Sequence, residues 1–130
     1  MAPIQSISAI TLFVEDLAAS KAFYTSVFNV PVIFEDESST ALKFDNIIVN
    51  LLKSGEAQTL VKPRTVGSSD AGKRFQLSIW VKDLDQVCEY LNSLGVGLLS
   101  GPQTQPWGMR TITFEDPAGT NWEVAQQIEG

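Results

Sequence analysis

One octapeptide pattern occurs twice in this chain. Ile10 to Leu17 reads I-T-L-F-V-E-D-L and Leu77 to Leu84 reads L-S-I-W-V-K-D-L, an offset of 67 in 130 residues. A repeat at half the chain length implies two copies of one structural unit, which prunes the folds open to the chain. Both stretches alternate between two kinds of side chain, the mark of a strand with two different faces. In the first copy Ile10, Leu12 and Val14 oppose Ala9, Thr11 and Phe13; in the second Leu77, Ile79 and Val81 oppose Gln76, Ser78 and Trp80. The aliphatic face suits packing beneath a helix. The other face suits either a cavity wall or solvent, and Phe13 and Trp80 favour the cavity.

Each copy ends in an aspartate able to cap a helix. Asp83 leads Leu84, Val87, Cys88, Leu91 and Leu94, apolar positions at steps of three and four, with Gln86 placed as in a capping box. Gly95 is the expected left-handed stop. Cys88 on that stripe reads as an inert, buried thiol. Asp16 leads Leu17, Ala19, Ala22, Phe23 and Val27, and Asn29 follows as the stop. Tyr24 falls one position off this stripe and takes no role.

Three strands are expected after each helix. In the first half they are Pro31 to Glu35, Ala41 to Phe44 and Ile47 to Leu52, with a tight turn at Asp45-Asn46. In the second they are Val96 to Leu99, Thr111 to Phe114 and Asn121 to Ala125, turning through Asp116-Pro117-Ala118-Gly119. The sequence thus predicts an α+β chain of two βαβββ modules. Lys53 to Arg74 lies between them as a long loop with five of the nine basic residues and two of the fifteen acids, so it is +3 in a chain of −6. It is either a solvated connection or a cationic lid.

The chain has no histidine and one cysteine, Cys88. That excludes histidine-based nucleophile systems, histidine metal sites, an internal disulfide and cysteine-cluster metal sites. The acidic balance argues against nucleic acid. No apolar run reaches the ~20 residues of a membrane span, and Met1-Ala2-Pro3-Ile4 does not open a secretory signal. The expectation is a cytoplasmic protein with no nucleic-acid or membrane partner.

Three segments carry a resemblance to a known family: L-F-V-E-D-L-A-A-S-K-A-F-Y-T-S-V-F (Leu12 to Phe28), P-W-G-M-R (Pro106 to Arg110) and F-E-D-P-A-G-T-N-W-E-V-A (Phe114 to Ala125). Their order and spacing resemble the vicinal oxygen chelate superfamily of glyoxalase I, bleomycin-resistance proteins, fosfomycin-resistance enzymes and extradiol dioxygenases. The resemblance covers essentially the whole chain. It implies a single domain, with module 1 at about 5–52, a linker at 53–74 and module 2 at about 75–127. The eight strands would form a curled mixed sheet, a cup, with helices outside, and the protein would be a homodimer.

The resemblance also places the family's metal ligands at Ala9, Asn50, Gln76 and Glu123. Only Glu123 is a strong anionic ligand, and Ala9 cannot coordinate. Gln76 with Glu123 could hold a divalent ion weakly, whereas zinc and nickel favour imidazole or thiolate. The chain is therefore closest in character to the non-metal, bleomycin-resistance-like members, with no cofactor expected. The ligand-binding set is Thr11, Phe13, Asn50, Gln76, Ser78, Trp80, Trp107, Arg110 and Glu123. Trp107 borders the ligand cleft or fills a dimer contact. Glu123 holds a cationic group, acts as a catalytic base, or is bonded to neighbouring backbone or to Arg110. Trp122 alternates with Glu123 and belongs to the core. Two functions stay open: a protein that binds a flat or partly cationic small molecule, and a glyoxalase-like lyase or isomerase that uses Glu123 as base or lone strong metal ligand.

Overall fold

A computed structural model describes residues 2–128. The fold divides into two compact units between Ser69 and Asp70. The first contains β1 (Ala9–Val14), α1 (Leu17–Val27), β2 (Val32–Glu35), β3 (Ser39–Lys43), β4 (Ile48–Lys53) and α2 (Ser54–Val61). The second contains β5 (Gln76–Trp80), α3 (Leu84–Ser93), β6 (Ser100–Thr104), β7 (Met109–Glu115) and β8 (Asn121–Gln127). The α+β architecture of two βαβββ modules is therefore present, with the eight strands divided into two four-stranded mixed sheets.

The sheet orders are β1-β4-β3-β2 and β5-β8-β7-β6, the same plan twice. In each, the first strand pairs parallel with the last, and the three later strands run antiparallel in turn. A parallel partner needs a long crossover, which α1 and α3 begin. Both outer ladders carry an irregularity, between Val32 and Phe34 and between Ser100 and Gln103.

The helix boundaries follow from side-chain chemistry. The Asp16 carboxylate accepts from the Ala19 N–H at 3.0 Å and the Asp83 carboxylate from the Gln86 N–H at 3.1 Å. Each satisfies a backbone donor that the first turn leaves open. Asn29 takes a left-handed φ of 50° after α1. After α3, Gly95 has φ 76°, its N–H reaches the Asn92 carbonyl and the Val96 N–H reaches that of Leu91. That bond pair is a Schellman stop.

The aliphatic sheet faces pack inward as the alternation predicts. Leu12, Val14, Leu42, Val49 and Leu51 are buried in the first unit, and Ile112, Phe114, Trp122 and Val124 in the second. Trp122 is core. Tyr24 corrects the sequence reading: it is wholly buried and among the largest such side chains in the fold. The inward face of α1 holds Ser20, Tyr24 and Val27, while Ala22 is exposed. The Tyr24 ring stacks on Phe28 at 5.4 Å, and Phe28 meets Phe44 at 5.2 Å. Such aromatic contacts outweigh the small apolar area of two alanines.

Three further expectations change. Cys88 is half-buried rather than buried. Val96 to Leu99 is not a strand; β6 is the polar run Ser-Gly-Pro-Gln-Thr just after it. There Gly101 (φ 86°) lies so close to the Thr111 carbonyl oxygen that a Cβ would collide with it. Finally, the 53–74 segment is not all loop, because α2 occupies its first third and buries Ala57. The rest is tied down within its own units. The Ser69 N–H reaches Glu15 at 3.1 Å, and Lys73 meets Glu115 at 2.7 Å and the Gly119 carbonyl. Among the described residues no helix is long and apolar enough to cross a membrane.

Candidate functional site

Each sheet has one face under a helix and one face away from it, and the open face of the second sheet concentrates polar chemistry. Strand register fixes the neighbours. Ser78 lies opposite Glu123, Glu123 opposite Thr113, and Thr113 opposite Ser100, a row across all four strands. The Ser78 hydroxyl donates to Glu123 Oε1 at 3.0 Å, and the Ser100 and Thr113 hydroxyls share a 2.5 Å bond. One row away, Asn121 donates its amide N–H to Gln76 Oε1 at 3.0 Å. In the other direction Trp80 lies opposite Ala125, with its side chain 79% exposed. Ala125 and its partner Thr111 in that same row are buried, and Gln105 donates to the Thr111 hydroxyl at 2.9 Å.

The structure therefore brings Gln76, Ser78, Trp80 and Glu123 together on one face. Arg110 does not join them. It lies opposite Gln126, on the alternate face from Thr111 and Glu123, and pairs with Asp85 of α3 at 2.8 Å. The proposed bond between Glu123 and Arg110 is thus corrected: β7 alternation turns the two apart. Arg110 and Trp80 instead contribute to the lining of an open groove of about 830 Å³ at one end of the sheet, with Met109, Gln127 and Ile128. Trp107 is exposed in the turn before β7, which the Gly108 N–H closes onto the Gln105 carbonyl at 3.1 Å.

On the first sheet, Thr11 lies opposite Asn50 and Asn50 opposite Ala41, while Phe13 lies opposite Leu52. Ala9 is exposed at the start of β1. The open face of β1, β4 and β3 holds no carboxylate among these residues. Sequence reasoning missed Asn121, Thr113 and Ser100 as neighbours of the site. Asn121 could have been found, since it stands two positions from Glu123 on the same strand face. Ser100 was hidden by the misplaced β6.

The donor set bears on metal binding. Among the described residues no three His, Cys, Asp or Glu side chains group to hold an ion. Gln76 and Glu123 supply one amide and one carboxylate, and each already accepts a hydrogen bond. This set does not fit zinc or nickel, which take nitrogen and sulfur ligands.

A family model described as the Glyoxalase/Bleomycin resistance protein/Dioxygenase superfamily matches residues 6–124. No curated protein sequence matches. Solved structures share the fold. A glyoxalase/bleomycin resistance protein/dioxygenase from Nocardioides is 22% identical with a TM-score of 0.89, covering 100% of this chain and 88% of that one. A lactoylglutathione lyase from Agrobacterium tumefaciens is 21% identical with a TM-score of 0.72, covering 96% of each. A genomically encoded fosfomycin resistance protein from Listeria monocytogenes is 20% identical with a TM-score of 0.71, covering 95% of this chain and 93% of that one.

Proposed function

We propose that this chain, which belongs to the Glyoxalase/Bleomycin resistance protein/Dioxygenase superfamily, binds a flat, partly cationic small molecule on the open face of its second sheet without a metal ion. The observation that carries this reading is the placement of Glu123 and Trp80. They occupy adjacent cross-strand rows of one face, and Trp80 stands two residues from the Ser78 that orients the carboxylate. Two residues along a strand span roughly 6.6 Å, the reach of a ligand with one cationic group and one aromatic ring. An indole face attracts a cation, and a carboxylate held by a hydroxyl makes a charge-assisted hydrogen bond to an ammonium. The donor set supports metal independence, since a neutral amide brings no charge compensation. Exposed Phe34 and Trp107 support a homodimer.

The test is titration of the protein with 9-aminoacridine, a flat ring system that is cationic at neutral pH and carries N–H donors, read by tryptophan quenching. Glu123→Gln should weaken binding roughly tenfold or more, the scale of a lost hydrogen bond to a charged group. Unchanged affinity removes Glu123 from the site.

A second reading, a lyase or isomerase with Glu123 as base, draws on Glu123 Oε2, which takes no hydrogen bond among the described residues. A weak divalent ion on Gln76 and Glu123 belongs to this reading. Mn²⁺ titration followed by electron paramagnetic resonance separates the two: an ion lost in Glu123→Gln favours the enzyme, and no bound ion favours the binding protein.

A further inference from the structure

The helix side of the first module carries a separate groove of about 450 Å³, between α1 and the β2–β3 ladder. Its walls include Ala18 and Lys21 of α1, Glu35 of β2, Glu37 of the following turn, Thr40 of β3 and Lys53 at the end of β4. Thr40 lies opposite the buried Leu51, so it faces the helix rather than the open side of the sheet. It is 1% exposed, and its Oγ1 has no hydrogen-bond partner among the described residues. Buried hydroxyls are nearly always bonded, so an unpartnered one at a groove calls for a group to complete it.

The charges of the groove sum to zero but do not cancel pairwise. Lys21 and Glu35 form an ion pair at 2.7 Å. Lys53 and Glu37 form none among the described residues, although the Lys53 N–H bonds to the Ser38 carbonyl at 2.9 Å and brings their backbones alongside. One ammonium and one carboxylate are therefore left at the mouth. A neutral lining with one open charge of each sign is complementary to a ligand that carries both.

We propose that this groove binds a free α-amino acid. Its carboxylate meets Lys53, its ammonium meets Glu37, and its side chain lies along Ala18. The Thr40 hydroxyl at the floor can donate to the carboxylate or accept from the ammonium. This site is distinct from the face of Glu123 and Trp80.

The experiment is a backbone-amide NMR titration of the whole chain with L-serine, and separately with propionate and with propylamine as half-ligands. L-serine should shift the amides of Ala18, Glu37 and Thr40 in a saturable way. Each half-ligand should bind at least about tenfold more weakly, since it answers only one charge. Lys53→Gln and Glu37→Gln, both at exposed positions, should each weaken L-serine about tenfold with the melting temperature unchanged. Thr40→Val should keep the fold and weaken binding several-fold. Glu123→Gln should leave the L-serine titration intact, which keeps this test independent of the function proposed above. Absence of saturable shifts, shifts at Trp80 and Glu123 instead, or propionate binding as tightly as L-serine would each overturn the proposal.

Discussion

The two modules share a plan and differ in what their open faces carry. Thr11 lies opposite Asn50 on the parallel β1–β4 ladder just as Ser78 lies opposite Glu123 on β5–β8. Phe13 corresponds to Trp80, and Ala9 to Gln76, by the 67-residue offset. Every position survives, but the charge does not. The first face has an amide where the second has a carboxylate, and a methyl where the second has an amide. The pairing geometry is kept by backbone hydrogen bonds, which do not read side chains on the open face. Those side chains are therefore free to diverge, and of the two ladder positions compared, Asn50 and Glu123, only that of the second module holds an anion that can attract a cationic ligand.

The helix layers differ too, and the largest predicted effects lie there. The first module anchors α1 with Tyr24, and the second anchors α3 with Leu84 and Leu91. Tyr24→Ala should destabilise the fold by about 3–5 kcal/mol, the range for an emptied aromatic site. Urea denaturation measures it, and a loss below about 1 kcal/mol would deny Tyr24 its place in the core.

The outer-strand irregularities provide the next contrast. Gly101→Ala forces a Cβ into the Thr111 carbonyl at a positive φ, so a loss of more than about 2 kcal/mol is expected from strain and collision together. The counterpart in the first module is Ile33, 51% exposed. Ile33→Ala should stay within about 0.5 kcal/mol. Equal effects at the two positions would break the asymmetry.

The caps test the opposite claim, that the modules are equivalent at the helix starts. Asp16→Ala and Asp83→Ala should each cost about 1 kcal/mol. Thermal melts that differ by much more than this would show that one cap carries a second role.

The smallest effect is one of pH. Asp36 accepts from the Ser38 and Ser39 N–H groups, both at 2.8 Å, and from the Ser39 hydroxyl. The Ser38 amide bond leads in holding its pKa below the ordinary value. A depressed carboxylate stabilises the fold above its unfolded pKa, and the contribution fades as pH falls through the folded one. Asp36→Asn should therefore lower stability slightly at neutral pH and converge with the parent in acid, at a pH below the folded-state pKa. Parallel stability curves down to that pH would remove the ionic contribution.

Much of this molecule was legible because its signals are local. Alternation over six residues identified β1 and β5, an aspartate before each helix marked its start, and Asn29 and Gly95 marked the stops. Asp116 was readable as a turn: its carboxylate accepts from the Ala118 and Thr120 N–H groups at 2.9 and 2.8 Å. Trp122 followed from its alternation with Glu123. Each inference needs only residues a few positions apart.

What misled was non-local. Tyr24 and Ala22 compete for the inward face of α1, and only the aromatic neighbours Phe28 and Phe44 decide between them. The polar β6 becomes a strand because β7 offers a partner along its length, while the apolar Val96 to Leu99 reaches β7 through the Leu99 N–H, which bonds to the Thr113 carbonyl at 2.8 Å. Arg110 was placed beside Glu123 because both flank one hairpin. Which face each takes depends on register, and the pairing of Thr113 with Glu123 turns Arg110 towards Asp85. The chain alone determined a duplicated α+β plan and a site stripped of histidine. Tertiary structure decided which side chains share a face, because register and helix rotation are set by packing between segments far apart in sequence.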